Sequence, residues 1–262
     1  MGLHKTLRRN IIRMRIPSLW KPYLKKKFTR DPIIIGGCGR SGTTVLLSVL
    51  GAHPHIYAIN EETEALCPTA HREDNVDLSA PLIIDKIYWY LLTHKIPHEC
   101  NRWCEKTPKN VIFFGPILDY FKDRVCIIHI IRDGRDVITS KHPDKQTKFW
   151  VPAERWINDV GAGLKFENHP QVLTLKYEDL VIEPEETIKS ICSFIDEDFS
   201  KSLLSHAEHT HIKRDKAWFG EAEPLHQRSV GKWKRPEFKE RIEEFMQNPD
   251  AVRLLKYFKY VK

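Results

Sequence analysis

Residues 31–44 read DPIIIGGCGRSGTT, and this stretch decides the fold class. Residues 32–35 are apolar and β-branched after a proline, the pattern of a short strand buried on both faces. The run breaks into Gly36, Gly37 and Gly39, which permit turns and close backbone approaches that a Cβ would block. Residues 43–50, TTVLLSVL, then read as a helix whose first residues carry hydroxyls, where unpaired N–H groups need partners. Strand, glycine turn and helix N-terminus together form an anion cradle.

Gly37 and Gly42 are separated by four residues, the glycine spacing of a Walker A loop, but Thr43 stands where that loop carries its lysine. That lysine reaches the β- and γ-phosphates of a nucleoside triphosphate, so an ordinary nucleotide triphosphatase is disfavoured. The cation in this loop is Arg40, whose planar fork suits a sulfate or phosphate group. GRSGTT after an apolar strand resembles the 5′-phosphosulfate loop of sulfotransferases that use 3′-phosphoadenosine 5′-phosphosulfate (PAPS). The resemblance implies that Gly39, Arg40, Ser41, Gly42, Thr43 and Thr44 bind PAPS, with Arg40 also acting on the transferred group.

A second anion motif follows a second apolar strand. VCIIHII, residues 125–131, runs into RDGRDVITS. Arg132 and Ser140, eight positions apart, resemble the 3′-phosphate element of the same family. Arginine offers a bidentate fork and serine a hydroxyl donor. Arg135 either adds charge or pairs with Asp133 or Asp136. His129, inside the strand, reads as a core histidine with satisfied hydrogen bonds. WCEKTP, residues 103–108, resembles the Lys-Thr-Pro element of the family. By that resemblance Lys106 contacts the sulfuryl group and neutralises charge on the bridging oxygen.

A short strand at 56–59 runs into Asn60-Glu61-Glu62-Thr63, at the strand end where open α/β sheets bind ligands. The succession RSGTT, helix, His53-Pro54, Glu-Glu-Thr most resembles the tyrosylprotein sulfotransferases, and it makes Glu62 the general base. That role is best served by a pKa raised through burial. One extra residue between His-Pro and the triplet leaves Glu61 as the alternative. YEDL at 177–180 resembles the family element that sets a tyrosine, here Tyr177, near the nucleotide; a strand cap with Tyr177 in the core is the other reading. SVGKWK at 229–234 resembles the late loop that folds over the cofactor, with Lys232 on a PAPS phosphate and Arg228 as a further candidate.

At 262 residues and net charge +7 the chain suits one α/β domain rather than two. Ten lysines and arginines, Lys5 to Arg30, precede Asp31 with no acidic residue among them, so the remainder is net negative. We divide the chain into a basic arm, 1–30, and a domain, 31–262. Leu3, Leu7, Ile11 and Met14 recur at helical spacing among basic residues. Such a helix either rests on an anionic membrane surface, grips an acidic acceptor, or packs on the domain. Met1-Gly2 with Thr6 also fits the myristoylation pattern. No run approaches 18 apolar residues and no signal-peptide core precedes the arm, so a cytoplasmic protein is expected, membrane-peripheral if the arm binds lipid.

The six cysteines lack paired CxxC spacing and read as reduced thiols, with Cys126 in a core strand. Cys100, Cys104, His94 and His98 do not match the common zinc spacings, and no metal is expected. Helices are expected at 81–93, 109–121, 149–166, 184–195 and 199–209, with a buried strand within 171–180 that turns at Tyr177-Glu178-Asp179-Leu180 and C-terminal helices split at Asn248-Pro249. Tyr88, Trp89 and Tyr90 are candidates to line an acceptor cleft or to pack in the core.

The resemblance implies a three-layer α/β fold with a central parallel sheet, the P-loop-like sulfotransferase fold. The implied reaction is in-line transfer of a sulfuryl group from PAPS to an acceptor hydroxyl, releasing adenosine 3′,5′-bisphosphate (PAP). A carbohydrate, lipid or small-molecule hydroxyl is favoured as acceptor and protein tyrosine is the alternative; nothing points to nucleic acid. The rivals are a P-loop small-molecule kinase, needing ATP and Mg²⁺, and a non-catalytic nucleotide-binding protein.

Overall fold

The computed structural model describes residues 17, 20–70, 76–142, 148–212, 214–215 and 220–262. The proposed basic amphipathic helix around Leu3–Met14 and the Gly2 motif lie outside the described residues. The chain opens with helix α1 (Trp20–Lys27), then β1 (Ile33–Gly36), α2 (Thr43–Leu50), β2 (Ile56–Ala58), α3 (Ile84–Thr93) and β3 (Arg102–Lys106). A 3₁₀ segment (Pro108–Phe113) leads into α4 (Phe114–Phe121), β4 (Cys126–Ile131), α5 (Gly134–Ile138), α6 (Ala153–Leu164) and β5 (Val172–Lys176). Then come α7 (Tyr177–Ile182), α8 (Pro184–Phe194), α9 (His206–His209), a two-strand hairpin of β6 (Arg214–Asp215) and β7 (Gly220–Glu221), α10 (Lys239–Gln247) and α11 (Pro249–Tyr257).

Strands β1 to β5 form one sheet in the order β2-β3-β1-β4-β5, every pair parallel. The near-continuous apolar runs of β1 and β4 follow from burial on both faces. Ile34 and Ile127 pack into one core with Ile87 and Leu91 of α3 and Ile117 of α4. Their neighbours Ile33, Ile35, Ile128 and Ile130 pack into the opposite core with Leu47 and Leu50 of α2, Leu180 of α7 and Ile188 of α8. Helices on both faces give the three layers. A third cluster joins Ile131, Trp156 of α6 and Phe245, Leu254 and Leu255 of α10 and α11 beyond the end of β4. The central strand β1 is flanked by β3 on one side and β4 on the other, and a crevice opens where the connections diverge beyond its C-terminal end.

Several elements differ from the sequence reading. The helix expected at 109–121 begins as the 3₁₀ segment after Pro108, and the one expected at 149–166 starts only after Pro152. The strand expected from residue 171 ends at Lys176, where its turn at 177–180 is expected, but YEDL opens α7 rather than a simple turn. There Glu178 accepts from the Asp133 amide at 3.0 Å and from the Tyr260 hydroxyl at 2.8 Å, tertiary partners that a strand pattern cannot reveal. The segment 199–209 breaks into a 3₁₀ turn and α9: Ser200 and Ser202 pair at 2.7 Å, and Ser202 donates to the Ala52 carbonyl. Such local side-chain bonds compete with helix. Helix α1 was not anticipated; its Leu24 is buried in the α3–α4 core, and Lys27 donates to the carbonyls of Pro97 and His98.

His129 corrects another expectation. It is fully buried on β4, against Gly163 of α6 and the edge of Phe114, yet neither ring nitrogen has a hydrogen-bond partner. Burial pushes its pKa down to about 3. The unfolded chain takes up a proton as the pH drops below about 6.5 while the folded chain does not, so the His129 contribution to stability is lost as pH falls from about 6.5 towards 3. Urea unfolding at pH 7 and pH 5 should differ by about 2 kcal/mol on this account. His129→Leu should flatten that difference; an unchanged pH dependence would assign it to other groups.

Candidate functional site

The cradle forms where β1 ends. The Gly37 amide donates to the Pro108 carbonyl at 3.0 Å, and a Cβ on Gly37 would stand 2.3 Å from the Ile130 carbonyl oxygen. Both Arg40 and Gly42 take positive φ, 70° and 91°, which turns the loop back into α2. Gly42 precedes Thr43 without a side-chain cap, so the helix presents its first amides outward. The Ser41 hydroxyl is buried and has no hydrogen-bond partner. A cradle that a Cβ would fill and an orphaned buried hydroxyl both fit an anion.

Arg132, at the end of β4, forms the second part. Its guanidinium donates to the carbonyls of Arg40 and Ser229 and stacks 4.6 Å from the Tyr177 ring centre, while its Nε is buried without a partner. The Tyr177 hydroxyl is 2.9 Å from the Ser229 hydroxyl. The loop 229–234 is held over this end of the sheet by Asp136, which accepts from the amides of Gly231 at 2.8 Å and Trp233 at 2.9 Å. Burial raises the Asp136 pKa, opposed by Arg132 and these two amides. Lys232 has its pKa lowered by burial and by Arg235, Arg132 and Arg40, so several cations converge here. Arg135 pairs with Asp133, its Nη2 at 2.7 Å from Oδ2, and stacks on Trp233, which resolves its alternatives. Arg228 instead pairs with Glu223.

The third part lies on the other side of β1. Lys106 ends β3 almost fully buried, 2% exposed, and donates to Glu62 Oε1 at 2.7 Å. Glu62 is 47% exposed, so the expected burial of this carboxylate is not met; the Lys106 ammonium, not desolvation, defines its surroundings. The buried carboxylate is the neighbouring Glu105, which accepts from the Thr63 and Thr107 hydroxyls and from Asn110 Nδ2 at 2.7 to 2.8 Å. Burial raises the Glu105 pKa, and these bonds oppose the rise. Glu105 thereby ties the Glu-Glu-Thr loop to the end of β3.

A cavity of about 1150 Å³ connects the parts and is lined by Gly39, Arg40, Gly42, Thr43, Thr44, Glu62, Arg132 and Tyr177 among others. Ser41, Lys106, Ser140 and Lys232 do not line it, and neither does Glu61. Ser140 donates to the Asp136 carbonyl at 2.9 Å. Tyr88 and Trp89 pack against the α3–α4 core and the Tyr90 hydroxyl accepts from the Asn60 amide, so the aromatic triplet belongs to the core. Cys100 faces the Pro54 carbonyl and His94 the Tyr90 carbonyl. Among the described residues, ring nitrogens of His53 and His55 and a Glu197 carboxylate oxygen lie within 4.8 Å of one another. There His53 Nε2 already faces the Asp198 carbonyl and Nδ1 accepts from the His55 amide.

A family model described as the sulfotransferase family matches residues 32–201. The chain belongs to the sulfotransferase family. It is 25% identical to protein-tyrosine sulfotransferase 1 of Danio rerio over 79% of this chain and 62% of that protein. Thus the chain spans less than two thirds of that relative, and only 31% of a matching Aquifex aeolicus protein. The fold resembles the sulfotransferase domain of the curacin biosynthetic pathway, with TM-score 0.60 and 17% identity over 88% of this chain and 98% of that domain. It also resembles a mouse sulfotransferase complexed with PAP, with TM-score 0.51 and 17% identity over 91% of this chain and 92% of that one. The sulfotransferase signatures of the sequence thus fall on three neighbouring strand ends. Glu105 was not singled out from sequence, and Asp136 was named only as a partner for Arg135; charged residues inside or just after buried strands were the available signal.

Proposed function

We propose that this enzyme transfers a sulfuryl group from PAPS to a hydroxyl of a small-molecule, carbohydrate or lipid acceptor. The single observation that carries the reading is the cradle after β1, with Thr43 in place of the Walker lysine and the orphaned Ser41 hydroxyl at its base. PAPS, when bound, supplies the activated sulfuryl group. Gly39 to Thr44 would hold its 5′ end, and Arg132 with Tyr177 and Lys232 its phosphate-bearing nucleotide. Ser140 would have to exchange its bond to the Asp136 carbonyl for a phosphate oxygen. Val45, Val181 and Leu225 line the same cavity and offer apolar faces to a purine.

Glu62 accepts the proton of the acceptor hydroxyl. It lines the cavity where Glu61 does not, and its hydrogen bond to Lys106 fixes one oxygen and leaves the other for the hydroxyl. Lys106, already desolvated, holds positive charge beside the place where negative charge develops. Arg40 supplies a second cation from the loop itself. The division into a basic arm, 1–30, and a domain, 31–262, is kept as part of this proposal, with Leu24 of α1 packed into the α3–α4 core.

Thermal unfolding with PAP and, separately, with ADP and Mg²⁺ tests the reading. PAP at 100 times its dissociation constant should add about 2.7 kcal/mol of stability. Stabilisation by ADP and Mg²⁺ alone would favour the kinase and overturn the proposal.

A further inference from the structure

Lys109 and Arg155 line the cavity on either side of one carboxylate, Asp159. Lys109 Nζ lies 3.2 Å from Oδ1 and Arg155 Nε 3.4 Å from Oδ2. Asp159 is 1% exposed, whereas the two cations are 18% and 26% exposed. One buried negative charge therefore serves two positive charges that reach the cavity, and the group keeps net positive charge. The Arg155 ion pair uses Nε, while Nη2 stands 3.3 Å from the position of a Cβ on Gly39, beside the cradle. Of the other carboxylates lining the cavity, Glu62 pairs with Lys106 and Glu223 with Arg228. Glu154 on the same wall is exposed to solvent and acts on Arg241, and the Cys38 thiol against Asp159 is buried, with its pKa pushed well up.

The sheet order assigns this group to one half of the cavity. Arg132 and Tyr177 leave β4 and β5, on one side of β1. Lys106 and Lys109 leave β3 on the other side, with Glu62, and α6 packs Arg155 onto the 3₁₀ segment that carries Lys109. Lys109 thus lies with the base, on the acceptor side, and Asp159 joins Arg155 to it, between that side and the cradle.

We propose that Lys109 and Arg155, presented by Asp159, bind an oxyanion on the acceptor, so that the acceptor is a hydroxyl compound that also carries a carboxylate or an equivalent anion. The inference rests on the sulfotransferase reading of the cavity. Asp159 sets the spacing of the two cations before the acceptor arrives, and an incoming carboxylate meets a planar fork and an ammonium already desolvated on one side.

The test uses protein saturated with PAP and follows further thermal stabilisation by matched pairs: 4-hydroxyphenylacetate against 4-hydroxyphenylacetamide, and methyl glucuronide against methyl glucoside. The carboxylates should bind at least tenfold more tightly than their neutral partners. Arg155→Gln and Lys109→Gln should each abolish that preference and leave stabilisation by PAP unchanged, whereas Arg155→Lys and Lys109→Arg, which keep the charge, should retain part of it. Equal binding of neutral partners, or no stabilisation by any carboxylate, overturns the proposal. Weakened PAP binding in the glutamine variants also overturns it, because the cations would then belong to the nucleotide. A wild-type protein unresponsive to PAP would remove the sulfotransferase reading instead, and the carboxylate preference, measured on the protein alone, would still decide the oxyanion site.

Discussion

Lys106→Met should lower turnover about a thousandfold and leave the protein folded. The methionine fills the volume of a side chain that is 2% exposed, so no cavity opens at the end of β3. It removes the charge that meets Glu62 at 2.7 Å, and the half-exposed Glu62 relaxes into solvent. Glu62→Gln keeps an oxygen for Lys106, so the buried ammonium stays paired, but it takes away the proton acceptor; a loss of about a hundredfold to ten-thousandfold is expected. The double variant should be little worse than the poorer single, because the two groups act as one unit. PAP release from PAPS in the presence of hydroxyl acceptors measures all three. Wild-type turnover in Glu62→Gln would favour the non-catalytic reading, and near-normal turnover in Lys106→Met would remove Lys106 from the reaction.

Gly42→Ala should cost both stability and nucleotide binding. The residue has φ 91°, and its Cβ would stand 2.3 Å from Tyr177 Cδ2 and 2.9 Å from Cε2. Backbone strain of about 1–3 kcal/mol comes first. Displacement of the Tyr177 ring comes second, and with it the seat of the Arg132 guanidinium and the bond to Ser229. The expected result is a lower melting temperature together with loss of stabilisation by PAP. Gly161→Ala is the contrast: it lies inside α6 with nothing within 4 Å of the added methyl. It should be neutral or stabilise by up to about 1 kcal/mol. Equal melting temperatures and equal PAP responses for the two variants would remove the steric argument at Gly42.

Much of the fold was legible because its strands are buried on both faces. Residues 33–35 are apolar throughout and 126–131 are apolar but for His129, and such runs followed by glycine or Arg-Asp-Gly end at a ligand site in a parallel sheet. The errors fell where side chains found partners distant in sequence. The helix expected over 199–209 breaks where Ser202 bonds the Ala52 carbonyl, and His129 reads as satisfied although burial leaves both nitrogens without partners.

By itself the sequence determined what local chemistry dictates: a glycine loop that turns a buried strand into a helix, a threonine in place of the Walker lysine with an arginine inside the loop, and two strand-end anion motifs. Only the tertiary structure decided which of these meet. The sheet order β2-β3-β1-β4-β5 brings Glu62 and Lys106 together from positions 44 residues apart and sets them across β1 from Arg132. It also showed Glu62 to be held by an ammonium rather than by burial, and Lys109 and Arg155 to share one buried Asp159. Spacing along the chain fixes local backbone geometry, whereas charge pairing and desolvation depend on strands packed side by side, and no local pattern encodes them.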